Sequence, residues 1–159
     1  MSRVSSVRTQ KDFSDLVSSL KNKNKNLYYE EDPQCDISNV RIITQFSILL
    51  KGPPNTPFEN GKFRLKVKIP SNYPNESPSI KMMTPIYHPN IKEQDICLDI
   101  LDNNWKPTYN LSKIFESVYY LLKNPNPKDP LSIEVNNEYV RNQEQYIKNA
   151  KEWTEKYAK

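Results

Sequence analysis

The chain has 159 residues, of which 36% are hydrophobic and 26% charged, a length and balance that suit one globular domain with its own core and exclude a disordered segment. No apolar run approaches the roughly 20 residues that span a bilayer, and one histidine with two cysteines leaves no set that closes a structural zinc site. Neither a metal nor any other cofactor is expected. A net charge of +4 is mildly basic and fits an acidic protein partner, nucleic acid, or no specific partner.

In chain order, residues 3–20 place Val4, Val7, Phe13, Leu16, Val17 and Leu20 at near-helical spacing. Arg3, Arg8 and Lys11 share the polar side of that helix. The alternating Lys and Asn of residues 21–26 read as a polar loop. Residues 40–50 and 62–69 are rich in β-branched and aromatic residues and read as strands. In the second, Phe63, Leu65, Val67 and Ile69 alternate with Lys62, Arg64, Lys66 and Lys68, the pattern of a strand with one wet, basic face. Turns at Gly52-Pro53-Pro54-Asn55 and Asn60-Gly61 and a short strand near residues 79–83 complete a meander of three or four strands. Residues 84–107 carry Pro85, Pro89 and Pro107 and read as an irregular stretch, long enough to suggest function. Leu111, Ile114, Phe115, Val118, Leu121 and Leu122 then mark a helix, with Asn110 or Ser112 as its cap. A proline-dense connector, residues 124–130, leads to two more helices, near 132–140 and 142–157, with Val135, Tyr139, Tyr146, Ile147, Ala150 and Trp153 facing inward. The fold class is α+β, an antiparallel sheet backed by helices, and residues 1–159 read as a single domain.

Two cysteines, Cys35 and Cys97, are too few for a disulfide framework and fit a reducing compartment. Residues 1–11 have no hydrophobic signal core, so secretion is not expected and the opening of a helix is preferred to a transit peptide. The cytoplasm is the expected location, with the nucleus also open to so small a chain. Cys97, between Ile96 and Leu98, reads in isolation as a small buried hydrophobe. A nucleophilic cysteine instead needs access and a route to thiolate. His88 is the one histidine that a Cys–His pair can use, yet Pro89 follows it and no orienting partner is evident.

The whole constellation shifts this balance. Tyr87-His88-Pro89-Asn90-Ile91 precedes Ile96-Cys97-Leu98-Asp99-Ile100-Leu101, then Trp105-Lys106-Pro107, then Pro125-Asn126-Pro127-Lys128-Asp129-Pro130. This order and spacing resemble the catalytic core of the ubiquitin-conjugating enzymes. Gly52-Pro53, Pro57-Phe58, Gly61-Lys62-Phe63, Tyr73-Pro74 and the C-terminal Glu152-Trp153-Thr154 carry the resemblance across nearly the whole chain. It implies the family's fold: an N-terminal helix, a four-stranded antiparallel meander, then C-terminal helices. It also implies that Cys97 accepts the modifier's C-terminal carbonyl as a thioester and passes it to an amine. Asn90 would donate to the oxyanion, Asp129 would orient or deprotonate the amine, His88 would hold the loop, and Asp99 would add local negative charge. The resemblance further assigns Arg3, Arg8, Lys11, Asn75, Trp105 and Pro107 to the surfaces that meet the activating enzyme and ligases. The partners implied are ubiquitin or a ubiquitin-like modifier, an activating enzyme, ligases and protein substrates, with neither nucleic acid nor membrane.

Besides a loop at residues 21–26 that is longer than usual, three departures from the family pattern stand out. The step from Asn90 to Cys97, 97−90=7, is one residue short, and Lys92-Glu93-Gln94-Asp95 replaces the loop's usual glycine. Asn75 stands where ligase-binding members often carry an aromatic, and Glu116 where the helix that cradles the modifier is more often apolar. The alternatives are a conjugating enzyme for the modifier Nedd, favoured by Gln10-Lys11-Asp12 and Cys35-Asp36-Ile37-Ser38, and a non-catalytic binding module of the same fold.

Overall fold

The computed structural model describes the backbone of residues 3–22, 27–37 and 44–159, with side chains from Val7 onward. Helix α1 (Arg3–Lys21) is followed by strands β1 (Tyr29–Glu31), β2 (Gln45–Lys51), β3 (Lys62–Lys68) and β4 (Ser79–Met82). The four strands pair in chain order, every pair antiparallel, which is the expected meander. The expected strand at residues 40–50 opens at Gln45, while its residues 40–43, like residues 23–26 of the polar loop, lie outside the described residues. Register sets Phe46 opposite Val67, Ile48 opposite Leu65 and Leu50 opposite Phe63, all buried on one face. The alternation of β3 sends Lys62, Arg64, Lys66 and Lys68 to the other face.

Helix α2 (Leu111–Lys123) covers the inner face of the sheet. Its N-cap is Asn110, whose side chain accepts from the Lys113 N–H, and all six apolar residues of its stripe are buried. Phe115 meets Tyr29 at 5.2 Å between ring centroids. Helix α1 packs through Phe13 on Phe46 and through Leu16. Val7, expected to face inward, is instead 59% exposed. At about 100° per residue it lies roughly 120° from the Phe13 stripe, a place on the inner face that falls to Thr9 and Asp12. Helices α3 (Ile133–Arg141) and α4 (Gln143–Tyr157) are capped by Ser132 and Asn142. Tyr146 and Ala150 are buried as expected, but Ile147 and Trp153 remain more than a third exposed, because α4 covers only one edge of the core. Gly52 sits where its N–H donates to the Gly61 carbonyl and a Cβ would lie 1.7 Å from the Phe58 carbonyl oxygen, so only glycine fits.

The basic sheet face carries an ion pair between the buried Asp32 and the partly exposed Arg64. Asp32 accepts from Arg64 Nε at 2.6 Å and Nη2 at 3.1 Å, and also from the Ser47 hydroxyl and the Gln34 N–H. The Arg64 hydrogen bonds, followed by those of Ser47 and Gln34, hold the Asp32 carboxyl down to about 2 against the opposing effect of burial. The folded value lies below the unfolded value of about 3.9. This stabilisation is therefore complete above about pH 4 and is lost as pH falls through the folded value. Asp32→Asn is expected to cost about 3 kcal/mol at neutral pH, because Arg64 is left unpaired, and to flatten the acid limb of stability. Urea unfolding as a function of pH checks both effects.

Candidate active site

After β4 the chain forms a second, two-stranded ribbon from β5 (Ile91–Lys92) and β6 (Asp95–Ile96), with Glu93 and Gln94 as its tip. Glu93 takes φ 57°, the left-handed backbone that glycine adopts at less cost. The ribbon accounts for the shortened spacing. A two-residue turn needs no glycine when Glu93 accepts that conformation, and the ladder continues past β6, with Cys97 N–H donating to the Asn90 carbonyl at 2.9 Å. Asn90 and Cys97 are thus held directly opposite one another. The Gln94 carbonyl accepts from Met82 N–H and Asp95 pairs with Lys81, which fastens the ribbon to the edge strand β4.

His88 is fully buried. Its Nδ1 accepts from the Asn90 N–H at 3.0 Å, which leaves the proton on Nε2, 2.9 Å from the Leu121 carbonyl of α2. Burial lowers its pKa to about 4, so the ring is neutral at physiological pH and far from Cys97 in role: it pins the loop to α2. Asn90 is 1% exposed and its amide is fully engaged. Nδ2 donates to the carbonyls of Asn126 at 2.8 Å and Asp129 at 2.9 Å, and Oδ1 accepts from the Asn126 N–H at 2.8 Å. The Pro89 carbonyl accepts from Leu131 and Ser132 N–H. One short loop therefore holds the connector and the start of α3 at Asn126, Asp129, Leu131 and Ser132, and an oxyanion contact from Asn90 requires release of one of its two carbonyl partners.

The connector places Asp129 beside the sulfur: Cys97 Sγ donates to Asp129 Oδ2 at 3.3 Å. Burial and then this hydrogen bond, with the charges of Asp129, Asp102 and Asp99, push the Cys97 thiol up to about 11. The resting group is a thiol, with the Asp129 carboxylate as its hydrogen-bond acceptor. Asp99 opens a 3-10 turn (Asp99–Leu101) just after Cys97 and is solvent-exposed. Asp102 was not singled out from sequence, although acids at positions 99 and 102 of one tight turn are a readable signal. A groove of about 710 Å³ runs from Cys97 and Asp129 along the turn to Glu116, Tyr120 and Lys123 of α2.

The residues assigned to partner surfaces divide into two groups. Arg8 is spent within the chain: Nη1 and Nη2 donate to the Pro107 and Tyr109 carbonyls at 2.8 and 2.6 Å, and Nε donates to Asp12, which also accepts from the Tyr73 hydroxyl. It staples α1 to the 105–109 loop instead of facing solvent. Trp105 is likewise an anchor, donating from Nε1 to the Pro74 carbonyl at 2.8 Å and lying between Tyr73 and Tyr109. Lys11, Asn75 and Pro107 are exposed, with Lys11 near Asp15 of its own helix. The side chain of Arg3 lies outside the described residues.

Comparison with known proteins agrees with this geometry. A family model described as ubiquitin-conjugating enzyme matches residues 8–154. Human ubiquitin-conjugating enzyme E2 T is 44% identical over 113 residues, covering 68% of this chain and 57% of the relative, so the match spans little more than half of that protein. Drosophila melanogaster ubiquitin-conjugating enzyme E2 N is 42% identical over 124 residues, covering 77% of this chain and 80% of the relative. Among solved structures, the E2 domain of a Toxoplasma gondii ubiquitin conjugating enzyme superposes with a TM-score of 0.79 at 32% identity, covering 96% of this chain and 98% of that one. With its meander, its ribbon holding Asn90 against Cys97 and its matched length, the chain belongs to the ubiquitin-conjugating enzyme family.

Proposed function

We propose that the protein accepts ubiquitin from an activating enzyme as a thioester on Cys97 and transfers it to a lysine, usually with a ligase. The observation that carries this reading is the Cys97 sulfur held 3.3 Å from the Asp129 carboxylate at the head of the groove. In loading, Cys97 Sγ attacks the incoming thioester carbonyl and its proton passes to Asp129, and the activating enzyme's departing thiolate takes up that proton, which leaves Asp129 a carboxylate again. A thiol of high pKa is a poor leaving group, so the loaded thioester resists chance attack. Once acylated, the sulfur has no proton to give and Asp129 is free to take one from an incoming amine. The amine nitrogen then bonds to the carbonyl carbon, the Cys97 sulfur departs, and Asp129 returns the proton to it. Cys97 and Asp129 are the catalytic residues of this scheme, with Asn90 and His88 positioning residues. Lys11, Asn75 and Pro107 remain the exposed candidates for contact with the activating enzyme and ligases.

The relatives named above favour ubiquitin over Nedd as the modifier. Incubation with ATP and ubiquitin's activating enzyme is expected to give a species that thiol reductant removes, with no such species from Nedd and its own activating enzyme. Charging by Nedd alone would overturn the choice of modifier, and charging by neither would leave a non-catalytic module.

A further inference from the structure

The loop that carries Asn90 is gripped by α2 through His88 and by the connector through Pro89 and Asn90, as described above. A third grip comes from α3 and α4. Tyr87, the residue before His88, donates its hydroxyl to Glu138 Oε1 of α3 at 2.8 Å. The same oxygen accepts from Asn149 Nδ2 of α4 at 2.8 Å, and Asn149 Oδ1 accepts in turn from Gln145 Nε2 at 2.9 Å. The Tyr87 ring lies 6.0 Å from Tyr146 and 5.5 Å from Trp153, so its position is fixed by packing as well. Glu138 is half-buried, and among the described residues no salt bridge reaches it. Sheltering a carboxylate without a cation costs desolvation energy that an aliphatic side chain at this place would avoid. What the carboxylate supplies is a charge-assisted hydrogen bond to Tyr87 that an aliphatic side chain cannot make.

We propose that Glu138 is a positioning residue: through Tyr87 it fixes the loop of residues 87–90, and through Asn90 it holds the Asp129 carboxylate against the Cys97 sulfur. No part of Glu138 touches the reacting atoms. Its effect travels along one continuous path, from Glu138 through Tyr87 and the adjoining backbone to the Asn90 amide, and from there to the Asp129 carbonyl.

The inference rests on the proposed function for one of its readouts and is independent of it for the other. The proteins are the full chain with Cys35→Ser, alone and with Glu138→Ala, Glu138→Gln, Tyr87→Phe or the pair Glu138→Ala and Tyr87→Phe. The first readout is single-turnover discharge of ubiquitin from preloaded protein to free lysine. The second is the pH midpoint for alkylation of Cys97 by iodoacetamide. Glu138→Ala and Tyr87→Phe are each expected to slow discharge about fivefold, with charging unchanged and the double variant no slower than either single one. Both are expected to move the alkylation midpoint downward, since a loosened Asp129 no longer holds the thiol proton. Glu138→Gln, which keeps the accepting oxygen, is expected to retain most of both properties. A role confined to stability would lower the melting temperature and leave both readouts unmoved. An unchanged alkylation midpoint in Glu138→Ala, an unchanged discharge rate, or losses that multiply in the double variant would each overturn the proposal. Failure of the parent protein to charge would count against the proposed function, and the alkylation profile would still decide the positioning role.

Discussion

Cys97→Ser is expected to end formation of the reductant-sensitive conjugate and to replace it, more slowly, with one that survives thiol reductant and yields to hydroxide. A serine hydroxyl next to Asp129 can still attack an activated carbonyl, but it forms an oxyester, and an alkoxide is a much poorer leaving group than a thiolate. Cys97→Ala, with no nucleophile, is expected to form neither species. Cys35 is a half-buried residue packed against the core in the turn that follows β1, apart in sequence from Asn90 and Asp129. Cys35→Ser is therefore expected to charge as the wild type does. Non-reducing gels of the three variants, with and without hydroxide, check the set. A reductant-sensitive band from Cys97→Ala would mean that the acceptor is another residue.

Asn90→Ala is expected to slow discharge to lysine about a hundredfold while leaving charging nearly intact. The amide of Asn90 makes three hydrogen bonds to the backbone of Asn126 and Asp129, so its removal frees the segment that brings the Asp129 carboxylate to the sulfur. Charging is expected to tolerate a looser Asp129, since the incoming carbonyl is already an activated thioester. Discharge to a free amine is expected to be the sensitive step. If Asn90 acts through the connector, its loss should add little in an Asp129→Ala background. If it acts on the oxyanion, the loss should persist there at full size. Single-turnover discharge of the two single variants and the double variant separates these outcomes, and the first is expected.

Much of this architecture was legible in sequence because its signals are periodic. The alternation in β3 and the stripe from Leu111 to Leu122 each report one buried face, and both appear in the structure with those residues inside. Strand β1 was not singled out, since three residues of Tyr-Glu-Glu give alternation no room to register. The misplacement of Val7, Ile147 and Trp153 has a common origin. Hydrophobicity marks residues able to be buried, whereas the edge of the packed surface decides which of them are. At the site, the order of residues around Cys97 marked Cys97 and Asp129 as candidates, and the structure brings the two within 3.3 Å of one another. The commitments of buried polar groups did not show. Arg8 reads as a surface cation until Pro107 and Tyr109 are folded 99 and 101 residues away in sequence to meet it. Asn90 likewise reads as a free amide donor until the connector closes over it. Such partners are fixed by tertiary contact and leave no local pattern.

The acidic surroundings of Cys97 set this site apart from one built around a resting thiolate. Asp99, Asp102 and Asp129 all oppose ionisation, and among the described residues none of the charges that shift the thiol is a cation. Two departures from the family pattern have a place in the fold: the ribbon absorbs the missing residue at Glu93, and Glu116 lines the groove farther along, on α2.

Peptide mapping of the charged wild-type protein tests the central claim most directly. The sample is digested under non-reducing, mildly acidic conditions and the residue that carries the modifier's C-terminal carbonyl is located by mass spectrometry. The expected result is a single thioester-linked peptide containing Cys97. A modifier attached to Cys35, or only to lysine side chains through reductant-resistant bonds, would contradict the assignment of Cys97 as the carrier.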